Sequence, residues 1–347
     1  MAWFSKSYTL GLIFILAVAI IWAGASVLIQ HIYQDMDFKS PFLLTYLANS
    51  LLVLYLPLWQ LWIMYSELIV NQLHEDAFSD AVSVDESFIE TDLDPVVPRK
   101  APPITHWEIL KIAAIICPFW FASNCLYNYS LFMTSVSSST IISNLAGTFT
   151  LFFSWYAGLE EVTYGKVLGI LVSFAGAVCI ALNDSENTND DSTEHSTTGD
   201  IVALLAALGY GLYTTAIRYN IKDDESVSMQ LLLGYIGLLN AVLLAPVLPI
   251  LYFIGLDDLT SLTGIVVGFM ILNGLCNTVL SDYLWARAVI LTSPTVATIG
   301  VSITIPLALV SDFLIHNILP TLLSGLGASF VIIGFILVNI TKEMELD

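Results

Sequence analysis

LTSPTVATIGVSITIPLALVSDFLIH, residues 291–316, is apolar and long enough to cross the roughly 30 Å hydrocarbon core of a bilayer. Yet it carries Thr295, Thr298, Ser302, Thr304, two prolines and a carboxylate, Asp312. Polar groups and interrupted backbone at membrane depth survive only against other protein or a water-filled cavity. The segment therefore has neighbours, and the chain supplies a pattern for them. With a shift of 158 residues, Thr134-Ser135 falls on Thr292-Ser293, Thr140 on Thr298 and Thr163 on Thr321, while Gly169 and Gly176 fall on Gly327 and Gly334. Each glycine pair sits in an apolar run, where small residues let helix backbones approach closely.

The rest of the chain has the same character. Of 347 residues, 57% are hydrophobic and only 12% charged, with a mean hydropathy of +0.81, too little charge to solvate a water-soluble domain of this size. Ten apolar spans are predicted, near 8–30, 41–65, 107–131, 136–157, 164–182, 200–219, 230–254, 263–289, 294–315 and 320–340. Their continuous apolar runs exclude a β-barrel, whose strands alternate. The first span is longer than a signal-peptide core and is read as a retained anchor. The fold class is an all-α polytopic membrane protein.

The repeat places span 4 on span 9 and span 5 on span 10. Five spans per half is an odd number, so the halves must run in opposite directions through the membrane. That predicts a 5+5 inverted-topology repeat, with a site near the midplane between halves. Residues 1–182 form the first half, with an acidic loop at 66–106. An acidic connection at 183–199 leads to the second half, 200–347.

Charge sets the orientation. With the N-terminus in the cytosol, Lys6, Arg99, Lys100, Lys111, Lys166, Arg218, Lys222, Arg287 and Lys342 lie on or near the cytosolic side, and only Lys39 falls opposite. This positive-inside bias puts both termini in the cytosol, the 66–106 loop with them and the 183–199 loop on the lumenal side. The formal charge of −20 resides mostly in those two loops and argues against a nucleic-acid partner. Cys117, Cys125, Cys179 and Cys276 all fall within spans and lack metal-ligand spacing, as do the histidines. No metal or cofactor is expected.

Leu159-Glu160-Glu161-Val162-Thr163, followed by Gly169 and Gly176, resembles the span 4–5 signature of the drug/metabolite transporter superfamily. LTSPTVATIGVSITIPLALVSD, SDYLWARAVILTSP at 281–294, PFLLTYLANS at 41–50 and NYSLFMTSVSSSTI at 128–141 resemble the F-type branch of solute carrier family 35. The chain also resembles the fungal group of that branch, with vacuolar-membrane and thiamine-repressible mitochondrial transport proteins. The resemblance covers all ten spans and implies an alternating-access carrier, with the vacuolar membrane as location and another endomembrane or the mitochondrion as alternatives. Ile318 stands where the repeat would require a second Glu160, so Glu160 is not half of a symmetric pair.

The polar residues within spans are the candidate substrate pathway. Thr140, Asn144 and Thr148 recur at helical spacing in span 4, as Thr295, Thr298 and Ser302 do in span 9. Pro306 cannot donate to the Ser302 carbonyl, which is thereby freed. Span 8 contributes Asn277, Asp282 and Arg287, and span 3 contributes Asn124, at the repeat-equivalent of Asp282, with Asn128 one turn on. Tyr210 and Thr214 are added from span 6, and Tyr46, Asn49, Tyr235 and Asn240 from spans 2 and 7. The alternative for the stripes is helix–helix packing, since Ser and Thr often bond between helices. An intramembrane carboxylate such as Asp282 is a functional candidate in its own right. It would bind a cationic or hydroxyl-rich solute or carry a proton, or else pair with Arg287. Arg287 would hold an anionic group or mark the end of its span.

The expected function is secondary-active transport of a small polar or charged metabolite, with thiamine-like cations and nucleotide-sugar or other organic anions as classes. Proton or counter-substrate coupling is the expected energy source. A non-transporting receptor on the same fold is the alternative. An aspartyl-protease dyad of Asp282 and Asp312 is disfavoured, because the two fall about 15 Å apart in depth at a rise of about 1.5 Å per residue.

Overall fold

The computed structural model describes residues 6–30, 32, 36, 38, 40–82, 105–133, 141–187, 197–221, 228–254, 262–316 and 321–343. Among these, all regular structure is helical. In chain order the helices are α1 (Lys6–Gln30), α2 (Pro41–Ser50), α3 (Tyr55–Val82), α4 (His106–Met133) and α5 (Ala146–Tyr156). There follow α6 (Tyr164–Asn187), α7 (Thr197–Asn220), α8 (Met229–Leu243), α9 (Val247–Ile254) and α10 (Gly264–Asn273). The last four are α11 (Ser281–Leu291), α12 (Pro294–Val301), α13 (Thr304–His316) and α14 (Leu322–Glu343). A 3₁₀ turn, Leu51–Leu54, joins α2 to α3, and a π-helical stretch, Gly274–Leu280, joins α10 to α11.

Six stretches are long and apolar enough to cross a membrane: Lys6–Ala25, Pro41–Ile69, His106–Ser130, Thr197–Asn220, Gly264–Leu291 and Leu322–Ile340. These are the predicted spans 1, 2, 3, 6, 8 and 10. Span 7 is the pair α8 and α9, bent by 45° at Pro246, which cannot continue the hydrogen-bond ladder. Spans 5 and 9 appear as the shorter apolar helices Tyr164–Ile180 and Pro294–Leu307. Span 4 holds α5, while residues 134–140, including Thr140, lie outside the described residues.

Local sequence explains the helix starts. Ser40 and Ser293 each precede a proline at the first helical position, and their hydroxyls accept from the Leu43 and Val296 amides at 3.2 and 3.3 Å. Proline suits that position because its missing N–H would have had no partner there. Thr105 and Glu108 form a reciprocal box, the Thr105 N–H donating to Glu108 Oε2 at 2.9 Å and the Glu108 N–H donating to Thr105 Oγ1 at 3.4 Å.

The glycines at the repeat spacing make a close helix crossing. In α6 and α14, Gly169 faces Gly334 and Gly176 faces Gly327. A β-carbon built at Gly176 would lie 2.5 Å from the Gly327 carbonyl oxygen, and one at Gly327 would lie 2.6 Å from that of Gly176. Gly169 and Gly334 show the same reciprocity, at 2.7 and 2.5 Å. Since Gly169 corresponds to Gly327 and Gly176 to Gly334, each contact is the two-fold image of the other, the pattern of a self-complementary interface. Elsewhere the core closes on Trp120, Trp285, Ile217 and Leu232, all buried, while apolar side chains such as Ile20, Trp62, Leu171 and Phe253 face outward, as lipid-facing surfaces do.

Candidate functional site

Spans 4 and 9 are both interrupted, at equivalent places. A turn at residues 144 and 145 separates helix 141–143 from α5, and a turn at 302 and 303 separates α12 from α13. The backbone bonds at the two turns repeat one for one. Leu145 N donates to Ile142 O, Gly147 N to Asn144 O and Phe149 N to Leu145 O. Ile303 N donates to Gly300 O, Ile305 N to Ser302 O and Leu307 N to Ile303 O. Pro306 accounts for the second break, because it cannot close the bond to Ser302. The first has no proline, and the short polar side chain of Asn144, which favours turns over helix interiors, stands there instead.

The two breaks meet. The Ser302 hydroxyl donates to Asn144 Oδ1 at 2.9 Å, a bond between residues 158 positions apart. One turn away, the Thr150 and Thr298 hydroxyls stand 3.2 Å apart, each also donating back along its own helix, to the Ala146 and Pro294 carbonyls. Thr148, expected on this face, is exposed. The turn at 144–145 advances the face, so Thr150 takes the place that unbroken helical spacing assigns to Thr148. Replacing Ser302 by Ala should cost roughly 0.5–1.5 kcal/mol. A double-mutant cycle of Ser302→Ala with Asn144→Ala, followed by thermal unfolding in detergent, should return a coupling energy of about that size. Strictly additive losses would mean that the bond contributes nothing.

Beside the breaks lies Glu160, in the link between α5 and α6. Its Oε1 accepts from the Thr295 backbone N–H at 3.0 Å, at the first turn of α12, while Oε2 lies 3.4 Å from Lys166 Nζ. Both side chains are almost wholly buried, at 5% and 1% exposure. Lys166 Nζ also donates to the Glu161 carbonyl at 2.9 Å. A carboxylate is well placed at a helix N-terminus, where free amides and the helix dipole attract negative charge. Ile318, at the repeat-equivalent of Glu160, lies outside the described residues. The partner of Glu160 on α12 is invisible in sequence, because the contact joins residues 135 apart.

Asp282 lies in the first turn of α11, which directly follows the π-helical stretch. Such stretches are rare and often mark functional positions. The Ser281 hydroxyl turns back to the Asn277 carbonyl and accepts from Trp22 Nε1 at 2.7 Å. Arg287 lies over the Phe14 and Tyr283 rings and reaches the Tyr283 hydroxyl at 3.4 Å. Among the described residues Asp282 has no ion-pair partner, so the Asp282–Arg287 pair is not formed. Arg218 donates to the Ile290 carbonyl at 3.1 Å.

The other candidates divide by partner. Asn124 and Thr214 bond to carbonyls one turn back in their own helices, Trp120 and Tyr210 respectively. Asn128 Nδ2 donates to Thr45 Oγ1 at 2.8 Å. Asn240 bridges to the Tyr46 carbonyl and the Ser50 hydroxyl, and Tyr46 donates to the Ala241 carbonyl, so these residues tie span 2 to span 7. The Tyr235 hydroxyl lies 3.1 Å from His106 Nδ1. Asn49 Nδ2 is buried without a partner among the described residues. Among the described residues the four cysteines form no disulfide. The side chain of Asp312 lies outside the described residues.

Comparison with known proteins gives a consistent result. Residues 95–182 and 197–340 match the EamA-like transporter family. The chain is 32% identical to an uncharacterized vacuolar membrane protein of Saccharomyces cerevisiae, over 99% of this chain and 93% of that one. It is 30% identical to the thiamine-repressible mitochondrial transport protein THI74 of the same yeast, over 98% and 94%. Solute carrier family 35 member F5 of Macaca fascicularis is 31% identical over 68% of this chain and 55% of its own. A crystal structure with 14% sequence identity superposes with a TM-score of 0.62 over 97% of this chain and 98% of its own, a likeness of fold.

Proposed function

Because the chain belongs to the EamA-like transporter family, we propose that this integral, multi-pass membrane protein is a secondary-active carrier. On this reading it has ten spans in a 5+5 inverted repeat and moves a small polar or charged metabolite by alternating access. The observation that supports it best is the pair of matched helix breaks joined through Asn144 and Ser302. Interrupted helices at corresponding positions of two halves mark the solute site in inverted-repeat carriers. The reciprocal glycine crossing of α6 and α14 supports the same two-fold relation. Both termini lie in the cytosol in this arrangement, and the vacuolar membrane is the proposed location, by likeness to the yeast relative.

Reconstitution tests the reading. Proteoliposomes should take up at least one of a panel of organic cations, organic anions and nucleotide sugars in a saturable manner. Asn144→Leu should reduce that uptake at least tenfold while the protein still reconstitutes. A single cysteine placed in the 66–106 loop should be labelled from the cytosolic side only. Saturable binding without flux across the panel would favour a receptor on a transporter fold, and lumenal labelling would overturn the orientation.

A further inference from the structure

Four aromatic rings from three helices close on one another next to Asp282. Trp120 of α4, Tyr210 and Tyr213 of α7, and Trp285 of α11 have ring centroids 4.8 Å (Trp120–Tyr213), 5.0 Å (Tyr210–Tyr213), 5.6 Å (Tyr210–Trp285 and Tyr213–Trp285) and 5.7 Å (Trp120–Trp285) apart. The cluster adjoins the helix breaks: a β-carbon at Gly211, the residue between Tyr210 and Tyr213's turn, would meet the Thr150 backbone N at 2.9 Å, and Thr150 touches Thr298.

As a hydrophobic core this cluster is poorly satisfied. Trp120 Nε1, Trp285 Nε1 and the Tyr210 hydroxyl are all buried without a hydrogen-bond partner among the described residues. Tyr210 lies beside the Trp285 indole, short of an aligned bond. Leaving one such donor unpaired costs about 1–3 kcal/mol, and three in one cluster exceed what packing explains. Asp282 presents the opposite deficit. It stands three residues before Trp285 on α11, a spacing that puts the two on one helix face, and no described side chain forms an ion pair with it. Arg287 and Arg218 are directed elsewhere, to Tyr283 and to the Ile290 carbonyl.

We infer that Asp282 with Trp120, Tyr210, Tyr213 and Trp285 forms the solute site, and that its solute is a monovalent organic cation with a flat ring and a hydrogen-bond-accepting oxygen. This rests on the carrier reading above and adds the substrate class. The positive charge answers the one carboxylate. The faces of Trp and Tyr attract a cation further, by about 0.5–2 kcal/mol each when desolvated. The acceptor oxygen answers the indole N–H groups and the phenol. A flat ring is favoured because the four rings pack directly on one another, and a thin guest separates them least. An anion would meet Asp282 with no compensating cation.

The test uses 1-methylnicotinamide, a flat cation with an amide oxygen, against nicotinamide, its uncharged analogue, and nicotinate, its anionic one. Binding is read by titration calorimetry on the full chain in nanodiscs. The cation should bind saturably and at least tenfold more tightly than either analogue. Asp282→Asn should weaken it at least tenfold, toward the nicotinamide level. Trp285→Phe, which keeps a ring and loses the N–H, should weaken it severalfold with little change in the unliganded melting temperature. If Asp282→Asn does not fold, Asp282→Glu and Trp285→Phe carry the test, and both must change affinity. Equal binding of the neutral or anionic analogue, unchanged affinity in the variants, or no binding of the cation would each overturn the site. Flux separates the two readings. Cation uptake into proteoliposomes that ignores both residues removes the site and leaves the carrier. Binding that depends on both residues without any flux leaves the site and removes the carrier.

Discussion

Glu160→Ala is expected to destabilise the protein by about 3–5 kcal/mol, the usual cost of removing one member of a buried ion pair. It leaves the Lys166 ammonium, 1% exposed, without its counter-charge, and it strips the Thr295 amide of its acceptor. The loss has two parts that substitutions can separate. Glu160→Gln keeps an acceptor for Thr295 and removes the charge. Glu160→Gln combined with Lys166→Met removes both charges and should recover much of the stability, since a buried pair replaced as a unit is often neutral or better. Thermal unfolding of the four proteins in one detergent reads this directly. A double variant no more stable than Glu160→Gln alone would mean that the unpaired Lys166 charge contributes little and the helix cap carries the interaction.

Gly176→Leu should prevent the protein from accumulating in a folded state, and Gly176→Ala should cost at least the 1–3 kcal/mol typical of overpacking. The alanine β-carbon would lie 2.5 Å from the Gly327 carbonyl oxygen and 2.8 Å from the Val331 backbone N. These are backbone atoms, so no side chain can swing aside, and α6 and α14 must separate. Gly325→Ala, on the partner helix α14, is the control. Nothing stands within 4 Å of its added β-carbon, and alanine is the better helix former by about 1 kcal/mol, so this variant should be at least as stable as the parent. Equal effects at Gly176 and Gly325 would show that helix propensity, not close approach, governs both sites.

These cases show what a linear sequence carries. The crossing glycines were legible, because small residues repeated at one offset in two apolar runs have few other uses. Span positions were legible for the same reason, as apolar runs need only length. The helix breaks were half legible. Pro306 announces one, whereas Asn144 announces nothing until its partner Ser302 is seen across the bond. Thr148 and Thr150 differ only in how the turn between Asn144 and Leu145 advances the helix face, which spacing along an ideal helix cannot anticipate. The aromatic cluster was least legible. Tryptophans and tyrosines in apolar spans usually anchor at the membrane interface, and only packing of α4, α7 and α11 reveals four of them at one point beside Asp282.

The unequal residues at equivalent positions have a thermodynamic meaning. In a perfectly repeated inverted carrier, the state open to one side would be the mirror image of the state open to the other, and the two would be equally populated without solute. Glu160 breaks that equality. Isoleucine, the residue at the equivalent position 318, has no carboxylate with which to repeat its bonds to Thr295 and Lys166. An offset of a few kcal/mol between two conformations leaves the disfavoured one at about 0.1–10% of molecules. Under the inverted-repeat reading, the unloaded protein therefore idles with the Glu160 face shut. On that reading, only a solute that binds the disfavoured state more tightly restores the balance.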